Sequence, residues 1–224
     1  MDERLTLAAS LYPHCAIGAD IGTDHGYLPC RLLLDGVCGR MILSDISAAA
    51  LHKAETLLTR RGLADRASFV CADGLDALTV PVGCVSITGM GGELIATMLR
   101  AGQDKLHGAA LVLSAHTDLD RVRTAVEAIG YHFTHESLCR AAGRYYIVWK
   151  AEPGACTYTA DERILGTDLL LHSGDPLLPG YLAWRIRVTE KKLDGLRSAS
   201  APDEEAIARC LHHIAIFKEA LIQC

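Results

Sequence analysis

Seven short apolar runs, the first five alternating with helical patterns and the last ending near residue 150, constrain the fold of this chain more than any other feature. They cover residues 16–21, 40–46, 68–72, 84–88, 109–115, 131–137 and 144–150. Several are apolar at consecutive positions, as in Met41-Ile42-Leu43 and Ala110-Leu111-Val112-Leu113. Continuous rather than alternating apolarity is expected of strands buried on both faces. Helical stretches such as 28–35, 48–61 and 92–101 lie between the first five runs. Such alternation implies right-handed strand–helix–strand units and a parallel, doubly wound sheet. Only residues 138–143 separate the last two runs, too few for a crossover helix, so an antiparallel hairpin should close the sheet.

The pattern changes after Lys150. Glu152-Pro153-Gly154 reads as a boundary, and no strand-like run follows. Residues 161–172, 179–198 and 203–222 carry helical spacing, with Leu182, Ile186, Leu193 and Leu196 near one stripe and Ile207, Leu211, Ile214 and Phe217 on another. Joined through Ala199-Ser200-Ala201-Pro202, the last two should form an antiparallel helical hairpin. Two domains are therefore expected, 1–154 and 155–224, the second serving as a brace or as a substrate-binding appendage.

The nine cysteines are odd in number and contain no C-x-x-C pair, which suits a reducing compartment and disfavours a zinc or dithiol site. His212 and His213 are adjacent on a helix and point apart, so no metal is expected there either. With no basic, apolar leader and no apolar run near the ~20 residues that span a bilayer, the expected setting is the cytoplasm, without membrane contact. A net charge of −5 argues only weakly against a nucleic-acid partner, since clustering of basic residues matters more than the total.

The chemistry is concentrated at strand ends. The first strand turns through Asp20-Ile21-Gly22-Thr23-Asp24-His25-Gly26, where Gly22 and Gly26 allow close backbone approach to a ligand. A dinucleotide fingerprint would offer bare amides to a pyrophosphate, whereas Asp20 and Asp24 would repel one. S-adenosylmethionine carries an ammonium and a sulfonium and no phosphate, so these carboxylates favour a methyl donor. The second strand ends in Asp45-Ile46, where a carboxylate can accept both ribose hydroxyls. The third ends in Asp73-Gly74, where an acid can accept from an adenine amine, and the fourth in Gly89-Met90-Gly91-Gly92, beside the expected methyl position. Singly each has a bland reading as a cap or turn; their succession at four strand ends does not.

These residues resemble a family. D-I-G-T-D-H-G-Y-L-P over residues 20–29 is similar to the first motif of the bacterial tRNA adenine-N1 methyltransferases acting on adenine 22, called TrmK. T-G-M-G-G at 88–92 resembles that family's A-G-M-G-G, and G-Q-D-K-L-H-G at 102–108 its G-K-D-K-L-x-G. The opening from Arg4-Leu5 to Tyr12-Pro13 and the C-terminal hairpin are similar as well. After the fifth strand the family carries L-Q-P-N, where this chain has Leu113-Ser114-Ala115-His116; at Asp45 it often has glutamate.

The resemblance implies a class I methyltransferase (Rossmann-like) fold, an α/β seven-stranded sheet with a C-terminal α-helical hairpin, using S-adenosylmethionine to methylate N1 of adenine 22 in tRNA. The donor is then expected against Asp20, Gly22, Thr23, Asp24, His25, Gly26, Asp45, Ile46, Asp73, Gly74 and Gly89. Asp24, Gly89, Met90 and Gly91 are the catalytic candidates. Tyr27, Met90 and His116 are candidates for the base, and Arg185, Lys191 and Lys192 for the RNA, with Arg60, Arg61 and Arg66 a second possible basic patch. A monomer is expected. Two alternatives stay open on the sequence: methylation of a small molecule or a protein, and a non-catalytic RNA-binding protein retaining the fold.

Overall fold

The computed structural model describes residues 2–224 and divides the chain into two compact units, 1–157 and 158–224.

The first unit is built on a seven-stranded sheet in the order β3-β2-β1-β4-β5-β7-β6. Its strands are β1 (Cys15–Ile21), β2 (Cys38–Asp45), β3 (Ala67–Cys71), β4 (Cys84–Met90), β5 (Ala110–Ala115), β6 (Tyr131–Ala141) and β7 (Arg144–Pro153). The first five pair in parallel; β7 pairs antiparallel to β5 and to β6. The helices are α1 (Glu3–Leu11), α2 (Tyr27–Leu34), α3 (Ala48–Arg60), α4 (Gly92–Ala101) and α5 (Leu119–Ala128). Strand order reverses between β1 and β4, so the carboxyl ends of those strands frame the crevice where open α/β sheets take their ligands.

The central strands are as apolar as their sequence implies: all six residues of β5 are buried. Three expectations need correction. Between β3 and β4 there is no full helix, only a 3-10 turn at Gly74–Ala77, because Pro81 biases Val80 away from helical backbone and Gly83 follows before β4 begins. The closing hairpin turns on two residues rather than six: β6 runs to Ala141, and Ala142 and Gly143 both take positive φ (48° and 77°). Two left-handed residues match the twist of the flanking strands, which is why so tight a turn is possible. Helices α1 and α5, which the strand–helix count left out, complete the layers.

Helix α1 is anchored at its C-terminus. Tyr12 is buried, its hydroxyl donating to Cys84 O (2.8 Å) and accepting from Ala19 N (3.1 Å). Gly18 makes room for it, since a Cβ there would lie 2.6 Å from the phenolic oxygen.

The second unit contains α6 (Ala160–Leu165), α7 (Asp168–Leu171), α8 (Leu178–Arg197) and α9 (Glu204–Gln223). The stretch expected as one helix over 161–172 is two short ones, broken at Gly166 (φ 136°) and restarted where Thr167 accepts from Leu169 N. Helices α8 and α9 pack against each other through Tyr181, Leu182, Ile186, Leu193, Cys210, Ile214 and Phe217. Leu211, expected in that stripe, is exposed, and Cys210 takes the inner position. Among the described residues no helix is long and apolar enough to cross a membrane.

Candidate active site

Four amides of the turn from β1 into α2 are bonded within the protein. Gly22 N and Thr23 N donate to Ser44 O (2.8 and 2.9 Å), Asp24 N to Asp45 Oδ2 (3.2 Å) and Gly26 N to Thr23 O (2.9 Å). The turn needs left-handed backbone at Gly22, Asp24 and Gly26 (φ 71°, 43° and 68°). Asp24 holds that conformation without being glycine, a strained state that tends to persist where function requires it. With these four donors spent within the protein and carboxylates beside them, the turn is poorly suited to cradle a diphosphate as a dinucleotide loop does. What it offers a ligand is carboxylate.

Three acids converge here. Asp20 is buried, with Ser86 Oγ donating to its Oδ1 at 2.6 Å. Burial pushes its carboxyl up to about 6, opposed by Ser86, Thr23 and the charge of Arg4. Asp24 is exposed, with Lys53 Nζ 3.3 Å from Oδ1 and His25 Nε2 3.4 Å from Oδ2. The His25 ring stacks on Tyr27, centroids 5.3 Å apart. Asp45 accepts from Ser47 N (2.9 Å) as well as from Asp24 N, which fixes its carboxylate at the end of β2. Beside it Ile46 is 75% exposed, an apolar wall with nothing covering it. Asp73 is exposed at the end of β3, and Gly74 packs on the Met98 side chain.

The loop after β4 meets the first turn. A Cβ on Gly22 would fall 1.7 Å from Met90 Cε, so the methionine side chain lies directly on that glycine. Gly89 takes φ 83°. Gly92 N donates to Thr117 O (2.9 Å) and His116 N to Met90 O (2.8 Å), tying this loop to the one after β5. The fit leaves no room for a side chain at Gly92, whose Cβ would sit 2.2 Å from Asp118 O. Asp20, Gly22, Thr23, Asp24, Asp45, Gly89, Met90, Gly91 and His116 are thus joined by contacts into one set at the strand ends.

Two residues of this region were not singled out in the sequence. Lys53 on α3 carried no motif, being one polar residue on an amphipathic helix. Arg4 on α1 lay inside a segment noticed only as family-like. Its side chain is 14% exposed, with Nη1 3.5 Å from His116 Nε2 and Cζ 5.6 Å from the Tyr146 ring centroid. Within Ser114-Ala115-His116, only His116 is exposed; Ser114 is buried and donates to Ile147 O (2.9 Å), a sheet contact.

Arg185, Lys191 and Lys192 lie on α8, in the second unit. Lys191 and Lys192 are exposed, whereas the Arg185 guanidinium is half-buried over Phe217 (4.9 Å) and Tyr181 (5.9 Å). Arg66 is committed to the carbonyls of Leu33, Cys38 and Gly39, so the patch suggested with Arg60 and Arg61 loses one member. Among the described residues no cluster of His, Cys, Asp or Glu could hold a metal ion.

Residues 1–149 match a family of methyltransferase domains. The chain is 33% identical over 156 residues to the tRNA (adenine(22)-N(1))-methyltransferase of Bacillus subtilis, the match covering 69% of this chain and 66%, about two thirds, of that protein. A Streptococcus pneumoniae protein solved in complex with S-adenosyl-L-methionine superposes with a TM-score of 0.85 at 28% identity, covering 98% of each chain. The B. subtilis M1A22 tRNA methyltransferase TrmK shares the fold, with a TM-score of 0.85 at 24% identity over 99% of this chain and 98% of that one.

Proposed function

Because the chain belongs to the methyltransferase-domain family, and within it to the TrmK group of tRNA (adenine-22-N1)-methyltransferases, we propose that it transfers the methyl group of S-adenosylmethionine to N1 of adenine 22 in tRNA. The observation that carries the donor is the first turn, where the amides of Gly22, Thr23, Asp24 and Gly26 are bonded internally and the carboxylates of Asp20, Asp24 and Asp45 gather at the strand ends.

When bound, the donor supplies an electrophilic methyl on a sulfonium. Asp20 and Asp24 would hold its cationic amino-acid portion, with Gly22 and Gly26 letting the backbone close on it. Asp45 would accept the ribose hydroxyls, while Ile46 and Asp73 would receive the adenine ring and its amine. The target nitrogen has an in-plane lone pair and attacks without first losing a proton. The protein therefore has to orient the base and exclude water more than it has to supply a strong base. Gly89, Met90 and Gly91 would line the methyl position, and Tyr27 and His116 the base. N1 lies on the Watson–Crick edge, so a paired adenine must be swung out to reach them.

Lys191 and Lys192, with Arg185 restricted by its packing, are the RNA contacts we assign to the second unit. Nine cysteines with free thiols support a reducing, cytoplasmic setting, and we take the working form to be the monomer. Incubation with labelled donor and unmodified tRNA tests the reading. Label should enter tRNA and be lost if ribonuclease is added first; label that survives ribonuclease would point to a small molecule or a protein as substrate.

A further inference from the structure

We propose that Arg4 is a positioning residue of the target-base pocket, clamping His116 and the Gly89 loop so that the ends of β4 and β5 present one preformed wall to the incoming adenine. The inference rests on the function proposed above and assigns within that site a residue from outside the strand-end motifs.

The geometry is specific. Arg4 sits in the first turn of α1, and Tyr12 pins the far end of that helix to β1 and β4. Its guanidinium lies over the Tyr146 ring, 3.5 Å from His116 Nε2, and a Cβ on Gly89 would be 3.1 Å from Nη1. Tyr146 in turn meets the His116 ring edge-on at 5.5 Å. Four elements, α1, β4, β7 and the loop after β5, therefore contribute to one cluster around a single planar cation.

The chemistry follows from what a guanidinium can do. It only donates, so His116 Nε2 must accept, and the ring is the neutral tautomer carrying its proton on Nδ1. The charged groups around His116 are Arg4, Arg144 and Asp2. Partial burial, then the two arginines, hold its titration below the ordinary histidine range, with Asp2 opposing. A neutral ring suits this reaction: an imidazolium would repel the cationic donor and draw electron density from the base. The remaining Nδ1–H is a donor suited to an acceptor nitrogen of a purine.

Arg4→Met keeps the aliphatic stem and removes the fork and the charge. In steady-state assays with labelled donor and tRNA at about pH 8, where Asp20 is ionised with or without the Arg4 charge, we expect about a tenfold or larger fall in kcat, with the Kd for S-adenosylmethionine held within about twofold. With donor kept saturating, so that the loss of the same charge beside Asp20 does not enter through donor binding, the acid limb of the kcat profile should also move to higher pH, because His116 loses a positive neighbour and binds its proton more readily. Arg4→Lys restores the charge without the fork and should return the acid limb while recovering only part of the rate. NMR titration of the His116 ring in the wild type and in Arg4→Met follows the same coupling without substrate.

Wild-type kcat and pH profile in Arg4→Met would overturn the assignment. So would matched losses of melting temperature, donor binding and rate, which would make Arg4 a fold residue. Failure of the wild type itself to label tRNA would instead overturn the function on which the assignment rests.

Discussion

Asp45 and Asp20 carry different kinds of charge. Asp45 is held at the surface by two backbone amides and has acceptor capacity left for a diol. Asp45→Ala should weaken S-adenosylmethionine binding roughly 10- to 100-fold while tRNA affinity changes little, measured by calorimetry and by filter binding. Equal losses in both would make the acid structural. Asp20 is buried and holds its proton more tightly folded than unfolded, its carboxyl rising from 3.8 to about 6. Its contribution to stability is therefore fully present below pH 4 and is lost as pH rises through about 6, on the order of 3 kcal/mol in all. Donor binding runs the other way, since a cationic ligand needs the ionised acid. Calorimetry should show affinity falling as pH drops from 7 to 5, and Asp20→Asn should flatten that dependence.

At the scale of elements, the two glycine loops differ in what they can tolerate. Gly92→Ala drives a Cβ into the carbonyls of Asp118 (2.2 Å) and Thr117 (2.5 Å), backbone atoms that cannot step aside. It should cost roughly 1–3 kcal/mol of stability and lower the melting temperature. Gly22→Ala meets only the flexible end of Met90, with added strain at φ 71°, so donor binding should suffer more than the melt. The strands were legible because burial on both faces writes a continuous apolar run, as β5 shows. The turn at Ala142-Gly143 was not, because its left-handed conformation is held at an alanine that carries no turn signal. The break at Gly166-Thr167 was missed for a related reason: helical spacing continued across a glycine that the tertiary structure uses as a stop. In the candidate site, the acids and glycines that lie together at the strand ends stand in local motifs of the sequence. Arg4 comes from a distant helix and meets His116 across 112 positions, a proximity only folding creates.

For the whole molecule, recognition of a polyanion has to be reconciled with a net charge of −5. Affinity would come from local basic surface, and exposed Lys191 and Lys192 on α8 are the residues we assign to that role. Lys191→Glu combined with Lys192→Glu should weaken tRNA binding about tenfold and reduce its salt dependence, with donor affinity unchanged. Unchanged tRNA affinity would move the contact elsewhere. The central claim, transfer of a methyl group to adenine N1, is tested most directly by nuclease digestion and mass spectrometry of unmodified tRNA treated with the protein and S-adenosylmethionine. A single added methyl on N1 of adenine 22 is the predicted result; a methyl on another base or atom, or none while control tRNA remains intact, would contradict it.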